Sequence, residues 1–293
     1  MQESGYWVHN LDPKLVYIWG DIGVSYYGLA YVLGFVFGVG MHRLMMKKGR
    51  SPLTPDQEET ALYATVLGVL VGARLGYCIL YALPDLFMRP WSVIEVWHGG
   101  MSFHGGFIGV VVACWYVSRR TRATMLQYSD VLAVFAPMGL LLGRIANFIN
   151  GELWGRVSTV PWAVIFPRSA PGMALDFIQP RHPSQLYEAA LEGAVLLIWL
   201  QCRFWKSDAS RSPGKLTGEF MVFYAIFRIF CEYFREPDAS LILGMSRGTF
   251  YSLFVLVVGV VLWVRAHKRG PMEPNTEPTQ PQAKPRPKPG KRK

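Results

Sequence analysis

Residues 143–156 read GRIANFINGELWGR and join a long apolar run to a polar segment. The stretch contains Arg144 and Arg156 together with two asparagines and a glutamate. An arginine at the centre of a membrane helix costs about 2.5–3.5 kcal/mol on insertion scales, so another interaction must offset that cost. The guanidinium fork matches phosphate geometry, which makes a lipid phosphate the candidate. The alternative is that both arginines extend from helix ends to the membrane interface.

The composition indicates an integral membrane protein. Of the 293 residues, 51% are hydrophobic and only 17% are charged, whereas soluble domains carry about 25% charged residues. The net charge of +10 could suggest nucleic acid, but the basic residues lie in short loops between apolar runs and in the C-terminal tail. Because that distribution is the one that sets membrane topology, we expect no nucleic-acid partner.

Seven apolar segments predict an all-α polytopic membrane protein with about seven transmembrane helices. Their approximate ranges are 21–41, 60–82, 104–118, 127–148, 187–205, 216–235 and 248–267. Basic residues follow the first, third, fifth and seventh segments, and short basic loops stay cytoplasmic. We therefore expect the N-terminus outside and the C-terminus in the cytoplasm.

One integral membrane domain is expected over residues 1–269. Within it, residues 149–186 are rich in Pro, Gly and aromatic residues and predict an irregular region on the outer face. Residues 270–293 form a basic, Pro-rich tail, which we expect to be disordered and cytoplasmic. Four cysteines without CxxC spacing and six histidines without metal-ligand spacing lead us to expect no metal and no cofactor.

A second polar group lies in the sixth segment. Arg228, Glu232 and Arg235 are spaced four and three residues apart, so they share one face of a helix. In a membrane helix that face must look into the protein or a wet cavity. Either Arg228 binds the phosphate and Glu232 orients it, or the Arg-Glu pair only locks helices together.

Further candidates follow from their positions. Asn147 shares a helical face with Arg144 and could hold a glycerol hydroxyl or a phosphate oxygen. Asn150-Gly151 predicts a helix end, which places Glu152 just beyond it. His104 lies in a glycine-flanked turn, where Gly105 and Gly106 would let a ligand approach the backbone. A neutral imidazole can accept a proton near neutral pH, although a lone histidine is more often structural.

Five motifs resemble those of the bacterial prolipoprotein diacylglyceryl transferases, occur in that family's order and cover about residues 10–268. They are YYG (26–28), GGMSFHGG (99–106), GRIANFINGELWGR (143–156), RHPSQLYE (181–188) and FRIFCEYFR (227–235). The resemblance implies transfer of the diacylglyceryl group of phosphatidylglycerol to the lipobox cysteine thiol of a prolipoprotein signal peptide. It also implies thioether and glycerol 1-phosphate products, and a multi-pass protein of the bacterial inner (plasma) membrane.

The resemblance also assigns expected roles. The positions matching Arg144 and Arg228 are regarded as essential in the family, and we expect both to bind the phosphate. His104 is the candidate base, with Glu152 or Glu232 as alternatives, and Tyr27 is a candidate on the resemblance alone. The expected substrate-binding set also includes Asn147, Arg156, Arg235, Gly105, Gly106 and His182. We expect residues 182–188 to form a supporting network.

Two other functions remain open on the residues themselves. A transporter for anionic lipid could use the same arginines, but its ionisable groups should continue to the inner side. The sequence instead clusters them at the outer ends of the fourth, fifth and sixth segments. A membrane phosphatase acting on lipid phosphate would need a base placed for water, and His104 alone does not exclude it.

Overall fold

The computed structural model describes residues 5–20, 22–96, 99–237 and 240–272. Within these ranges the chain is mainly helical. In chain order the helices are Tyr26–Lys47 (α1), Pro55–Tyr81 (α2), Leu83–Met88 (α3), Phe103–Arg120 (α4), Met125–Ile149 (α5), Ser184–Glu188 (α6), Leu196–Lys206 (α7), Lys215–Glu232 (α8) and Arg247–Arg269 (α9). A π-helical stretch, Ala189–Val195, joins α6 to α7 without a break. Every predicted apolar segment overlaps one of the long helical segments.

Four helices, α1, α2, α5 and α9, are long and apolar enough to cross a membrane. The chain is therefore a mainly helical membrane protein. The expectation of a purely α-helical fold is corrected by four short strands. Lys14–Trp19 (β2) and Ile22–Ser25 (β3) form an antiparallel hairpin, so the first helix begins at Tyr26 rather than near residue 21.

The region between α5 and α6 is irregular and contains one short strand. Val164–Ile165 (β4) pairs in parallel with Trp7–Val8 (β1) of the N-terminal segment, and short 3-10 turns follow at Pro167–Ser169 and Leu175–Phe177. Phe166 is fully buried beside β4 and anchors this region. For the predicted tail, residues 273–293 lie outside the described residues.

Helix α5 has clear start and stop signals in its sequence. Thr124 and Gln127 form a capping box at its N-terminus, which satisfies two otherwise unpaired backbone N–H groups. At the other end Asn150 is the C-cap and Gly151 has a φ of +62°, a conformation that glycine adopts without steric cost. The predicted helix end at Asn150-Gly151 is confirmed.

Helices α2 and α4 pack through glycines. A methyl group added at Gly68 would lie 2.6 Å from the Gly109 carbonyl oxygen, and one at Gly72 would lie 2.5 Å from the Gly105 carbonyl oxygen. Small residues allow membrane helices to approach this closely. The packing holds the N-terminal end of α4, which carries His104, against the C-terminal half of α2.

A buried carboxylate fixes the position of α8 along the axis of α5. Asp130, near the start of α5, accepts hydrogen bonds from the backbone N–H groups of Gly214 and Thr217, at 2.8 and 2.7 Å. These are N–H groups at the start of α8, which lack partners inside the helix. Both helices run from this contact in the same direction, so Arg144 and Arg228 lie at a similar height, about 17–21 Å along the axes.

Candidate active site

Three arginines and three glutamates meet at the ends of α5 and α8 opposite Asp130. Arg144 comes from α5, Arg228 and Glu232 from α8, and Arg235 from the turn that follows α8. The helical segment after Pro183 supplies the other two members, Glu188 and Glu192. We call these six residues the Arg-Glu cluster: Arg144, Glu188, Glu192, Arg228, Glu232 and Arg235.

Glu188 is the hub of the cluster. Its carboxylate is fully buried and lies 2.7 Å from Arg144, between Oε2 and Nε. The other oxygen, Oε1, lies 2.9 Å from Arg228 Nη1 and accepts a hydrogen bond from Arg235 Nη1 at 3.1 Å. A single carboxylate thus faces all three guanidinium groups and compensates for the repulsion among them.

Glu192 forms ion pairs with two arginines at distances too long for hydrogen bonds. Its Oε2 is 3.7 Å from Arg144 Nη2, and its Oε1 is 3.6 Å from Arg228 Nη1. The side chain is fully buried, and neither oxygen has a hydrogen-bond partner among the described residues. Glu192 belongs to the π-helical stretch, a distortion that often occurs at functional sites.

Glu232 contacts the two arginines of its own segment. It forms an ion pair with Arg228 one helical turn before it, and its Oε1 lies 3.9 Å from Arg235 Nε. Arg228 and Glu232 share a face of α8 as predicted, but the helix ends at Glu232, so the prediction is corrected for Arg235, which approaches from the turn that follows. The side chain of Arg144 is 18% exposed, more than the 11% of Arg228 or the 6% of Arg235, so Arg144 forms the accessible edge of the cluster.

The GRIANFINGELWGR stretch is held together by its own polar groups. Glu152 Oε1 accepts hydrogen bonds from the side-chain amides of Asn147, at 2.8 Å, and Asn150, at 3.2 Å. Gln185 donates to the Glu152 carbonyl oxygen at 2.6 Å. Arg156 donates from Nε to the Arg235 carbonyl oxygen at 3.0 Å, and thereby connects this stretch to the end of α8.

His182 lies beside the cluster, outside the long helices. Its Nδ1 is 3.1 Å from the Tyr187 hydroxyl, and its ring packs edge-on against Phe234 at 5.2 Å between centroids. Burial lowers the pKa of His182, so the ring is neutral at neutral pH. The predicted supporting role of residues 182–188 needs a correction at Glu188, because Glu188 contacts the arginines directly.

His104 approaches the cluster through α9. It is an exposed residue in the first turn of α4, and its ring packs edge-on against Tyr251 at 5.6 Å between centroids. Three residues before Tyr251, a methyl group added at Gly248 would lie 2.6 Å from the Glu232 carboxyl carbon. Helix α9 therefore contacts the cluster at Gly248 and His104 one turn later at Tyr251.

Three further predicted residues, Gly105, Gly106 and Tyr27, have contacts with residues outside the Arg-Glu cluster. Gly105 is buried and packs against the α2 backbone, and Gly106 lies against Ala73 of α2. The glycines therefore provide close helix packing, and their substrate contact stays a prediction. Tyr27, in the first turn of α1, has an exposed ring 5.6 Å from that of Tyr31, and its role also stays a prediction.

The prediction from the sequence missed the direct contacts of Glu188 and Glu192 with the arginines. Both lie in the fifth apolar segment, four residues apart. Two acidic residues on one face of a membrane-length segment are expensive unless they are paired. This spacing was the available signal that the segment faces the arginines. Among the described residues, no group of three His, Cys, Asp or Glu side chains is placed to hold a metal ion.

The guanidinium groups of the cluster are chemically suited to binding an anion. Arg228 Nη1 lies 2.9 Å from Glu188 Oε1, but the geometry is not that of a hydrogen bond. Donor capacity therefore remains on a buried guanidinium group that already faces carboxylates. An oxyanion that enters past Arg144 would meet planar, charged N–H donors suited to two-point binding.

Comparison with known proteins identifies the family of the chain. A family model described as prolipoprotein diacylglyceryl transferase matches residues 13–265. The chain is 43% identical to the phosphatidylglycerol--prolipoprotein diacylglyceryl transferase of Photorhabdus laumondii, over 88% of this chain and 94% of that protein. It is 42% identical to the protein of that name from Proteus mirabilis, over 92% and 96%, and 41% identical to the one from Rhodospirillum rubrum, over 89% and 94%. The chain belongs to the prolipoprotein diacylglyceryl transferase family.

Proposed function

We propose that this protein transfers the diacylglyceryl group of phosphatidylglycerol to the lipobox cysteine thiol of prolipoproteins. The observation that carries the proposal is the position of Arg144 and Arg228 on either side of Glu188, at 2.7 and 2.9 Å. The names of the relatives supply both substrates, phosphatidylglycerol and prolipoprotein. The reaction is the first step of lipoprotein maturation, and the membrane is the bacterial inner membrane.

Two arginines suit the phosphate of the lipid. During the reaction the phosphodiester becomes a phosphomonoester, so negative charge grows on the phosphate oxygens. Fixed guanidinium groups at that position stabilise the developing charge, and stabilisation of this kind often contributes more to catalysis than any other effect. Arg144 is the most exposed arginine of the cluster, so an incoming lipid would contact it first. Arg228 is more buried and is held by ion pairs with Glu188 and Glu232.

The chemical step joins sulfur to carbon. The cysteine thiolate attacks the glycerol carbon that carries the phosphate ester, the S–C bond forms, and the C–O bond breaks. Glycerol 1-phosphate leaves with the bonding electron pair, and the thiol proton passes to a base. A free thiol has a pKa of about 8.5, so a general base contributes about 10²–10⁴ in rate.

His104 is the base in this proposal. Glu232 is paired with Arg228, and Glu152 accepts two amide hydrogen bonds, so both carboxylates already have partners within the protein. His104 is exposed, and its ring packs edge-on against the rings of Phe103 and Tyr251. Asn147, whose side-chain amide donates to Glu152, would bind a glycerol hydroxyl or a phosphate oxygen.

The proposal includes seven membrane spans, with the N-terminus outside and the C-terminus in the cytoplasm. Its support is the charge pattern, since the Arg-Glu cluster lies at the bundle end opposite the basic loops. Single cysteines test this in a Cys202→Ser background, because Cys202 is the exposed native thiol among the cysteines, and the others are buried. Asp176→Cys should react with an impermeant thiol reagent from outside, and Asp208→Cys only after the inner side is opened. Reaction of both from one side would contradict the orientation.

The assay for the function uses purified protein in vesicles, phosphatidylglycerol labelled on its acyl chains, and a peptide with a lipobox cysteine. We expect the label on the peptide, and loss of the label when the cysteine is replaced by serine. Labelled diacylglycerol without peptide modification would indicate hydrolysis of the lipid phosphate ester by water instead of transfer to the thiol. Movement of unreacted lipid between leaflets would indicate a transporter. Against the transporter, an apolar core that includes Val134, Leu196 and Leu200 separates the cluster from the charged contacts at the other end.

A further inference from the structure

The Arg-Glu cluster is balanced in charge before any ligand binds. Its three guanidinium groups carry three positive charges, and its three carboxylates, when ionised, carry three negative ones. The lipid phosphate adds one more negative charge. Placing an uncompensated charge in a buried site is expensive. A binding site that is neutral at rest must therefore change its own charge, or lose an ion pair, when the phosphate enters.

The three carboxylates differ in how firmly they are held as anions. Glu188 lies 2.7–3.1 Å from all three arginines, and Glu232 is hydrogen-bonded to Arg228. Glu192 is fully buried, its nearest arginine nitrogens are 3.6 and 3.7 Å away, and both of its oxygens lack hydrogen-bond partners among the described residues. Of the three, Glu192 loses least by becoming neutral.

We propose that Glu192 takes up one proton when the phosphate of the lipid binds, and that its neutral form frees Arg144 and Arg228 to pair with that phosphate. The inference rests on the proposed function, because it deepens the account of the same phosphate site. It makes Glu192 a positioning residue that acts through the two arginines and does not touch the reacting atoms.

The surroundings of Glu192 fit this role. Arg144 faces it from α5, and Arg228 faces it from α8. Glu188 lies one turn before it, and its charge opposes a second anion in the same place. Tyr224 and Cys231 of α8 are the other titratable groups close enough to interact with it electrostatically. Both groups are neutral when protonated, so neither can supply a positive charge to compensate for the bound phosphate.

The charges balance at each stage. At rest the cluster is neutral, with Glu192 ionised. The phosphodiester brings one negative charge, and one proton from solvent neutralises Glu192, so the loaded site is neutral again. The thiol proton passes to the base, and the positive charge that the base gains matches the second negative charge that C–O cleavage leaves on the phosphate. When glycerol 1-phosphate leaves, Glu192 releases its proton to solvent and the resting state returns.

Calorimetry of lipid binding measures this proton directly. Short-chain phosphatidylglycerol is titrated into the detergent-solubilised protein in two buffers of different ionisation enthalpy, so that the difference in heat gives the protons taken up. We expect about one proton per lipid at a pH where Glu192 is ionised at rest, and a tenfold weaker affinity for each further pH unit. Scanning from about pH 5 to about pH 9 covers the range in which buried carboxyl groups titrate.

Two glutamine variants provide the comparison. Glu192→Gln should bind phosphatidylglycerol with no proton uptake and with an affinity that no longer falls as the pH rises. Glu219→Gln is the matched control, because Glu219 is also buried and paired with an arginine, Arg203, at the other end of the bundle. That control should retain the uptake of the unsubstituted protein. Zwitterionic short-chain phosphatidylcholine should cause no uptake in any of the three proteins.

Several results would overturn the proposal. Measurable binding to the unsubstituted protein without proton uptake at any pH would exclude it, even if Glu192→Gln did not fold. Unchanged uptake in well-folded Glu192→Gln would assign the proton to another group. The outcome is independent of the transfer assay, because an active transferase without proton uptake would remove only this inference. A protein that takes up the proton but modifies no peptide would remove only the proposed function.

Discussion

Glu188 Oε2 lies 2.7 Å from Arg144 Nε, which makes a fully buried carboxylate the fixed partner of the most accessible arginine in the cluster. The contact joins α6 to α5, and the other Glu188 oxygen reaches Arg228 and Arg235. The arginines that would hold the phosphate are therefore oriented before the lipid arrives. Such preorganisation reduces the free energy that binding must spend on ordering side chains.

Glu188→Gln should lower both stability and transfer activity. The change leaves three guanidinium groups facing one another, and breaking a buried ion pair typically costs about 3–5 kcal/mol. Thermal unfolding in detergent measures the loss. Glu219→Gln is the control and should lose less, since its partner Arg203 is 28% exposed and can reach solvent. Equal losses in the two variants would show that Glu188 is not the hub of the cluster.

Arg144→Lys should reduce kcat/KM about 100-fold or more, the range seen when one charge-stabilising donor is removed. An ammonium group cannot reproduce the planar two-point contact of a guanidinium with phosphate. The variant should still insert and unfold near the normal temperature. Arg203→Lys, at the opposite end, should keep normal activity. Near-normal turnover in folded Arg144→Lys would remove Arg144 from the phosphate role.

His104→Gln should slow the chemical step by about 10²–10⁴ while lipid binding changes little. Because a free thiol has a pKa of about 8.5, raising the pH forms thiolate without a base and should restore part of the rate. The measurement is a pH profile of kcat beside that of the unsubstituted enzyme. A deficit that stays constant into the alkaline range would leave His104 as a binding residue.

Gly109→Ala should destabilise the protein by about 1–3 kcal/mol through overpacking. An added methyl group would overlap the Gly68 backbone in the contact between α2 and α4. The matched control is Gly40→Ala in α1, where nothing lies within 4 Å of the added atom. The two substitutions add the same methyl group to a helical glycine, so a similar thermal stability for both would argue against the tight glycine contact.

The sequence predicted the positions of the helices well, because apolar runs, caps and breakers are local signals. The end of α5 at Asn150-Gly151 is an example. The hairpin before α1 was missed, because the residues of Lys14–Trp19 are apolar after Lys14 and show no alternation of polar and apolar side chains that would indicate a strand. At the site, the four-residue spacing of Arg228 and Glu232 was enough to predict their common face, whereas Arg235 lies beyond the end of α8.

What the sequence could not predict was contact between distant segments. Nothing local shows that Glu188 reaches Arg144 and Arg228, or that a π-helical stretch carries Glu192 between the same two arginines. Those contacts depend on how α5, α6 and α8 pack. The contact of Asp130 with the start of α8 fixes the position of α8 along α5. The proximity of His104 to the cluster likewise depends on packing against α9.

The central claim is that Arg144 and Arg228 together hold the phosphate of the lipid. Solid-state NMR measures this through the dipolar coupling between the lipid phosphorus and arginine Cζ carbons, in protein labelled with ¹³C at arginine and reconstituted with phosphatidylglycerol. We predict two strongly coupled Cζ signals, one lost in Arg144→Lys and the other in Arg228→Lys, with both retained in Arg203→Lys. Coupling that survives both site substitutions, or no coupling in the active protein, would contradict the account.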